Sequence, residues 1–323
     1  MREGRLLKIA VTGATGFVGR PVCAQLTAAG HTVRAIERTH DAPSGLAAAE
    51  VVTGCDLEQG ETWDAVARDV DVIVHLAARA HVMHDDPQKS DALYRRANVH
   101  VTQGLAEAAR RHGVRRFVYM SSIKVNGERT TASPFRADDV PAPEDAYGRS
   151  KLEAETALLA CAGDAMETVI VRPPLLYGPG VRGNMRRLFQ LVDRGLPLPL
   201  GSIRNARDML YVGHLADLVE ITARHPAAAG RIILARDGDA LSTPDLVHAI
   251  GTALGRKARC FPFPVAALRF GAHVTGFGGM AARLIDDLRI DDMPTRQHLG
   301  WQPRWTLAEA LKKTALSFRG ADV

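Results

Sequence analysis

Tyr147 and Lys151 stand four residues apart in Tyr147-Gly-Arg-Ser-Lys151. On a helix that spacing sets both on one face, with the ammonium near the phenol. A phenol titrates near 10 in water, and a neighbouring cation lowers that value by favouring phenolate. So tuned, the phenol suits proton exchange with a carbonyl/alcohol pair near neutral pH. Ser122 stands 25 residues before Tyr147, at the end of the apolar run Arg116–Met120 and Ser121. A hydroxyl there could hydrogen-bond the oxygen of the same substrate. The plainer alternatives are a surface aromatic–cation pair and a serine that satisfies turn backbone.

Near the start of the chain, the run Leu7–Thr12 leads into Gly13-Ala14-Thr15-Gly16-Phe17-Val18-Gly19. Glycines at this spacing let the backbone turn tightly and approach a pyrophosphate, whose charge the following helix N-terminus favours. The order strand, loop, helix is the one a dinucleotide site requires. At the end of the next apolar run sit Glu37 and Arg38. An acid here takes the adenosine ribose hydroxyls of NAD, whereas an arginine can hold the 2′-phosphate of NADP. Glu37 occupies the acid's usual position and favours NAD(H) over NADP(H). Asp56 and Leu57 could meet the adenine ring or form a solvated turn.

These residues need a scaffold, and the hydrophobic pattern supplies one. Strands are expected at Leu7–Thr12, Thr32–Ile36, Val51–Thr53, Val70–His75, Arg116–Met120 and Thr168–Arg172. They are apolar on most residues, as strands covered on both faces are. Helices are expected between them at Phe17–Ala29, Thr62–Asp69, Ala92–His112 and Tyr147–Cys161. The alternation predicts an α/β fold, a Rossmann-type doubly wound parallel sheet. After residue 172 Pro and Gly concentrate, and helices near Met185–Arg194, Val212–Arg224, Thr243–Leu254 and Thr306–Ser317 suggest a smaller lobe. We expect a cofactor domain over 1–172 that regains a strand near Arg231–Ala235, with 173–323 mainly a substrate lobe.

Composition bounds the function. The chain has 323 residues, of which 46% are hydrophobic and 24% charged, excluding a disordered chain. The most apolar long stretch, Phe261–Leu284, is broken by Arg269, His273 and Arg283, so it predicts an amphipathic helix–turn–helix on the core rather than a membrane insertion. A surplus of 41 basic over 36 acidic residues, a net +5, is too small and dispersed to mark a nucleic-acid partner. Cys23, Cys55, Cys161 and Cys260 are far apart, which argues against a metal site or disulfide framework and for a reducing, cytoplasmic setting. The first residues show no signal peptide.

Thr12–Gly19 (TGATGFVG), His75–Ala78 (HLAA), Asn98, Ser121–Gly127 (SSIKVNG), Tyr147–Lys151, Arg172–Gly180 (RPPLLYGPG) and Arg207–Asp217 (RDMLYVGHLAD) together resemble the extended short-chain dehydrogenase/reductase family. Its members are nucleotide-sugar epimerases, dehydratases and reductases. The resemblance implies catalytic roles for Ser122, Tyr147 and Lys151. It implies cofactor contacts from Gly13, Thr15, Gly16, Phe17, Val18 and Gly19, from Glu37, Arg38, Asp56 and Leu57, and from Leu76, Ala77, Ala78, Asn98, Tyr147, Lys151 and Pro174. Asn98 falls where the family supports the lysine and a proton relay. Substrate contacts fall on Arg79, His81, Ser122, Lys124, Asn184, Leu198 and Arg207, with Asn184 and Arg207 toward a nucleotide diphosphate. The partner implied is a UDP-sugar, and the assembly a homodimer.

Departures from the family pattern narrow the reaction. Ile123 and Lys124 replace the acidic pair of dehydratases, and a cation cannot be that acid. Leu175 replaces an Asn of many 4-epimerases, and Leu288-Arg-Ile-Asp-Asp stands where many carry Arg-x-Gly-Asp. The expectation is therefore NAD(P)-dependent reduction at C4 of a UDP-4-keto-6-deoxy-N-acetylhexosamine for surface polysaccharide. The alternative is a UDP-hexose 4-epimerase, and a more distant one is a non-catalytic NAD(P)-sensing regulator.

Overall fold

A parallel strand buried on both faces needs helices above and below it, and the chain supplies them in turn. The structure, a computed structural model, describes residues 6–39, 45–80, 87–275 and 278–320. It begins with β1 (Lys8–Thr12), α1 (Gly19–Ala28), β2 (Thr32–Ile36), β3 (Glu50–Val52), α2 (Trp63–Ala67) and β4 (Val72–His75). Then come α3 (Pro87–Tyr94), α4 (Val101–Arg111), β5 (Arg116–Met120), α5 (Ala146–Ala162) and β6 (Glu167–Val171). The second half carries β7 (Leu175–Tyr177), α6 (Gly183–Asp193), β8 (Pro197–Leu198), β9 (Met209–Tyr211), α7 (Val212–Arg224) and β10 (Arg231–Ile233). It closes with α8 (Thr243–Leu254), β11 (Arg259–Cys260), α9 (Val265–Val274), α10 (Gly278–Ile285), α11 (Met293–Leu299) and α12 (Leu307–Phe318).

The main sheet has seven parallel strands in the order β10-β6-β5-β4-β1-β2-β3. From β1 the chain moves outward through β2 and β3, then crosses back to β4. The direction of winding switches there, and the crevice outside the carboxyl ends of β1 and β4 is where such sheets hold ligands. Val22, Cys23 and Leu26 of α1 and Leu215, Leu218 and Val219 of α7 fill one face. Val66, Leu105 and Leu158, from α2, α4 and α5, fill the other. The doubly wound α/β fold read from the sequence is the fold observed.

A separate core forms where α6, α8 and α12 meet, around Phe189, Val247, Ile250 and Leu311. Two short parallel pairs accompany this lobe: β8 with β11, whose Leu198 and Cys260 pack in its core, and β7 with β9, between β6 and α7 in the chain.

Two elements differ from their expected form. The single helix expected over Ala92–His112 is α3 and α4 joined by a π-helical turn at Arg95–His100. The stretch Phe261–Leu284 does form a helical pair, α9 and α10, but it sits on the core along one stripe only. Val265 and Leu268 of α9 touch the second core, yet no residue of α9 is fully buried. No described helix is long and apolar enough to cross a membrane.

Candidate active site

The glycine loop is fixed by steric necessity. Gly13 has φ +68°, and a Cβ there would lie 2.9 Å from the Ala77 nitrogen. A Cβ on Gly19 would lie 2.1 Å from the Gly13 carbonyl oxygen, so α1 approaches the loop in a way only glycine permits. Gly16 closes the turn by donating its N–H to the Gly13 oxygen at 3.0 Å. Thr12 Oγ1 accepts from the backbone N–H groups of Leu76 and Ala77, both at 3.2 Å, which ties the loop after β4 to the end of β1. Thr15, Phe17, Val18, Leu76 and Ala77 are half-buried around this cradle, while Gly16 and Ala78 are exposed. Phe17 and Val18 also pack against the second lobe's core.

Glu37 ends this groove on the β2 side. It is 2% exposed, yet neither carboxylate oxygen has a hydrogen-bond partner among the described residues. Such a group is costly unless something else satisfies it. Its negative charge, after burial itself, helps push the Cys23 thiol beneath it up to about 12. The vicinal hydroxyls of a ribose are the chemical match. Arg38 is exposed. Asp56 uses its carboxylate within its own turn, accepting from Glu58 N at 3.2 Å and Gln59 Nε2 at 2.8 Å. That is the turn alternative for Asp56. Leu57 packs against the core beneath.

Asn98 projects from the π-helical turn, and it accepts from Arg79 N at 2.8 Å and donates to Ser150 Oγ at 2.9 Å. It thereby clamps the loop after β4 to α5. The Arg79 guanidinium lies 5.9 Å from the centre of the Tyr94 ring, whose edge meets Tyr147 at 6.0 Å between ring centres. His81 lies outside the described residues.

The serine hydroxyl, the phenol and the lysine amine converge at the end of β5. Asp145 caps α5 by accepting from Gly148 N at 2.7 Å, which sets Tyr147 in the first turn. Ser122 begins the short turn Ile123–Val125, its Oγ accepting from Lys124 N at 3.3 Å, beside the Tyr147 phenol. Lys151, 2% exposed, donates to the Met120 carbonyl at 2.7 Å and lies 5.9 Å from the centre of the Tyr147 ring. The expected tuning of the phenol by the cation is reversed here. Burial, the charge of Asp145 and then Tyr94 push the phenol up, and Ser122 opposes them. Burial brings the Lys151 ammonium down to about 7, against the opposing charge of Glu155. Desolvation outweighs the pairing that spacing alone suggested. Beside them His75, bonded to Thr12 Oγ1 at 2.7 Å, is held neutral by burial and then by Lys151, its value down to about 3.

Lys124 turns out to be an ion-pair partner. It is 18% exposed and bonds Asp145 and, at 2.6 Å, Glu128. A cation so engaged braces the serine turn against the α5 cap, where the sequence suggested a hold on the sugar. Pro174 is buried, and the preceding Pro173 carbonyl accepts from Ile123 N at 3.0 Å. In the second lobe Asn184 opens α6, half-buried, and Leu198 is buried in β8. Arg207 donates to the Asp286 carbonyl at 2.8 Å. Burial holds its guanidinium below the ordinary range, with Arg283 of α10 adding like charge. Among the described residues no cluster of His, Cys, Asp or Glu could hold a metal ion.

Sequence reasoning missed Tyr94, Asp145, Glu155 and Arg283. Glu155 carried a signal, since it continues the four-residue spacing of Tyr147 and Lys151 along α5. The others are brought in by tertiary packing alone.

A glycine cradle at the switch point of a parallel sheet, with Ser122, Tyr147 and Lys151 at the next strand end, defines a dinucleotide-dependent enzyme of the short-chain dehydrogenase/reductase class. The profile of the NAD dependent epimerase/dehydratase family matches residues 9–234. The chain is 39% identical to a UDP-glucose 4-epimerase of Vibrio cholerae, over 97% of this chain and 96% of that one. It is 29% identical to a 2-alkyl-3-oxoalkanoate reductase of Stenotrophomonas maltophilia, over 96% and 99% of the two chains. Among solved structures, a UDP-N-acetylglucosamine 4-epimerase from Bacillus cereus matches with a TM-score of 0.77 and 24% identity, covering 97% and 100%. The protein belongs to the NAD dependent epimerase/dehydratase family, the extended short-chain dehydrogenases, and its cofactor is NAD.

Proposed function

We propose that the protein is a NAD-dependent 4-epimerase of a UDP-hexose or its N-acetyl form. The observation that carries this reading is the 39% identity to a UDP-glucose 4-epimerase along almost the whole of both chains. It favours the alternative over the C4 reduction expected from sequence.

The residues present fit the cofactor, since the glycine cradle leaves room for a pyrophosphate and Glu37 offers two unpartnered oxygens to a ribose. NAD, when bound, supplies a hydride acceptor. Tyr147, once ionised beside a charged Lys151, takes the proton from the C4 hydroxyl as that carbon gives up its hydride, and returns it when the ketone takes the hydride back on its other face. Lys151, with a value near 7, can supply positive charge beside the phenol at little cost. Arg207 would hold the diphosphate, and Arg283 would add a second cation beside it. That second cation lessens the weight of the missing Arg-x-Gly-Asp. Because Glu128 and Asp145 neutralise Lys124, the serine turn has little spare positive charge, which favours a neutral hexose over a uronate.

The test is purified protein with UDP-glucose, UDP-galactose and their N-acetyl forms, followed by chromatography of the nucleotide sugars. Interconversion without net NADH production is the expected result. Stoichiometric oxidation of NADH or NADPH by a 4-keto UDP-sugar, with no interconversion, would restore the reductase.

A further inference from the structure

The face formed by α9 and α10 is unusual in both charge and exposure. From Leu246 to Ile285, 40 residues, there is not one Asp or Glu, although the chain has 36 elsewhere. The same stretch holds Arg256, Lys257, Arg259, Arg269 and Arg283. Arg256 and Arg269 are partly balanced from outside it, by Asp193 at 3.3 Å and Asp286 at 2.5 Å. Lys257, Arg259 and Arg283 are exposed and make no ion pair among the described residues.

Apolar groups stand out between these cations. Phe270 is 71% and Val274 67% exposed, and their four-residue spacing puts both on one face of α9. Ala267 continues the same stripe, while Val265 and Leu268 turn the opposite way, onto the core. Phe261 and Phe263, just before α9, are exposed as well. A helix with an outward aromatic–aliphatic stripe, within a segment that carries five cations and no acid, has a shape that suits an interface between water and anionic lipid.

We propose that the α9–α10 face is a peripheral docking surface for an anionic lipid bilayer, with Phe270 and Val274 entering the headgroup region. A second copy of the chain is the poorer occupant. A two-fold contact would set this acid-free surface against itself, like charge on like. Docking of this kind needs no spanning helix. It also brings the bilayer next to the substrate lobe, since the loop following α10 accepts the Arg207 side chain at Asp286. The proposal is independent of which sugar is turned over.

The experiment is co-sedimentation of the NAD-loaded protein with vesicles of phosphatidylglycerol and phosphatidylcholine, compared with phosphatidylcholine alone. Partition should favour the anionic vesicles and weaken steeply with salt. Phe270→Glu with Val274→Glu should lower it roughly tenfold or more, and Lys257→Gln with Arg259→Gln similarly. All four side chains are exposed, so both variants should keep the parent's melting temperature and turnover in solution. Absence of vesicle binding, or binding that neither pair of substitutions changes, would overturn the proposal. So would a dimer, seen by light scattering, that Phe270→Glu dissociates, since that would assign the face to a second copy.

Discussion

Glu155 lies one turn of α5 beyond Lys151, and the two buried side chains grip consecutive residues at the end of β5. Lys151 donates to the Met120 carbonyl at 2.7 Å, and Glu155 accepts from the Ser121 hydroxyl. Ser122 follows directly, so the helix that presents the tyrosine also fixes the strand end that presents the serine. Glu155 is in turn held by Arg172, at 2.9 and 2.6 Å, and Arg172 reaches Asn126 at 2.9 Å.

A buried ion pair is expensive to break from one side. Glu155→Gln leaves the Arg172 guanidinium without its counter-charge and should cost about 3–5 kcal/mol of stability. Arg172→Met added to Glu155→Gln should recover most of that loss, because no buried charge is then left alone. Urea unfolding of the two single variants and the double variant measures both numbers. Strictly additive losses would mean that the pair does not act as a unit.

Lys151 gives stability a pH dependence of predictable sign. Its ordinary value of 10.5 falls to about 7 in the folded protein, through burial. Between those values the unfolded chain binds the proton and the folded chain does not, so this group makes the fold more stable as pH rises. Below the folded value both states are charged and the penalty is fully present. Relative to Lys151→Met, the NAD-stripped parent should therefore gain up to about 1.4 kcal/mol per pH unit between roughly pH 7.5 and 9.5. Urea midpoints across that range check it, and a flat difference would show that Lys151 keeps its ordinary value.

How much of this could be read from the sequence follows from what each feature depends on. The sheet was legible because strands such as Val72–His75 are wholly buried and so must be apolar throughout. Tyr147 and Lys151 were legible because four-residue spacing is a property of the helix itself. The direction of their shifts was not, because it depends on burial, which spacing does not encode. The π-helical turn that aims Asn98 was also hidden, since Arg95–His100 has no Pro or Gly to mark it. The ion pair of Lys124 with Asp145, 21 residues on, was hidden as well, because only the fold brings the two together. In Phe261–Leu284 the sequence shows an amphipathic pair but not that Phe270 and Val274 face outward, because apolar periodicity shows a stripe and not which side is covered.

Glu37 should trade stability against cofactor affinity. Its carboxylate is buried without a partner among the described residues, so Glu37→Leu should raise the melting temperature of the NAD-free protein. The same change removes hydrogen bonds from a charged acceptor, each worth about 1.5–3 kcal/mol, and should weaken NAD binding at least roughly tenfold. Calorimetric titration and thermal melts of one variant read both signs. A loss of stability with unchanged NAD affinity would take Glu37 out of the ribose site and make it a structural residue.

Tyr147→Phe tests the chemistry most directly. The substitution keeps the ring that meets Tyr94 edge-on at 6.0 Å and removes only the hydroxyl. Folding and NAD affinity should therefore survive, while kcat falls by roughly 10²–10⁴, the scale for losing a positioned acid/base. Ser122→Ala should act through the same phenol. It removes a contact that opposes the rise of the Tyr147 value, so the ascending limb that depends on tyrosinate should move to higher pH, with a smaller loss in kcat. The two losses should not add in the double variant, because without the phenol there is nothing left for Ser122 to tune. Additive losses would separate Ser122 from Tyr147 and give the serine a contact of its own with the sugar oxygen.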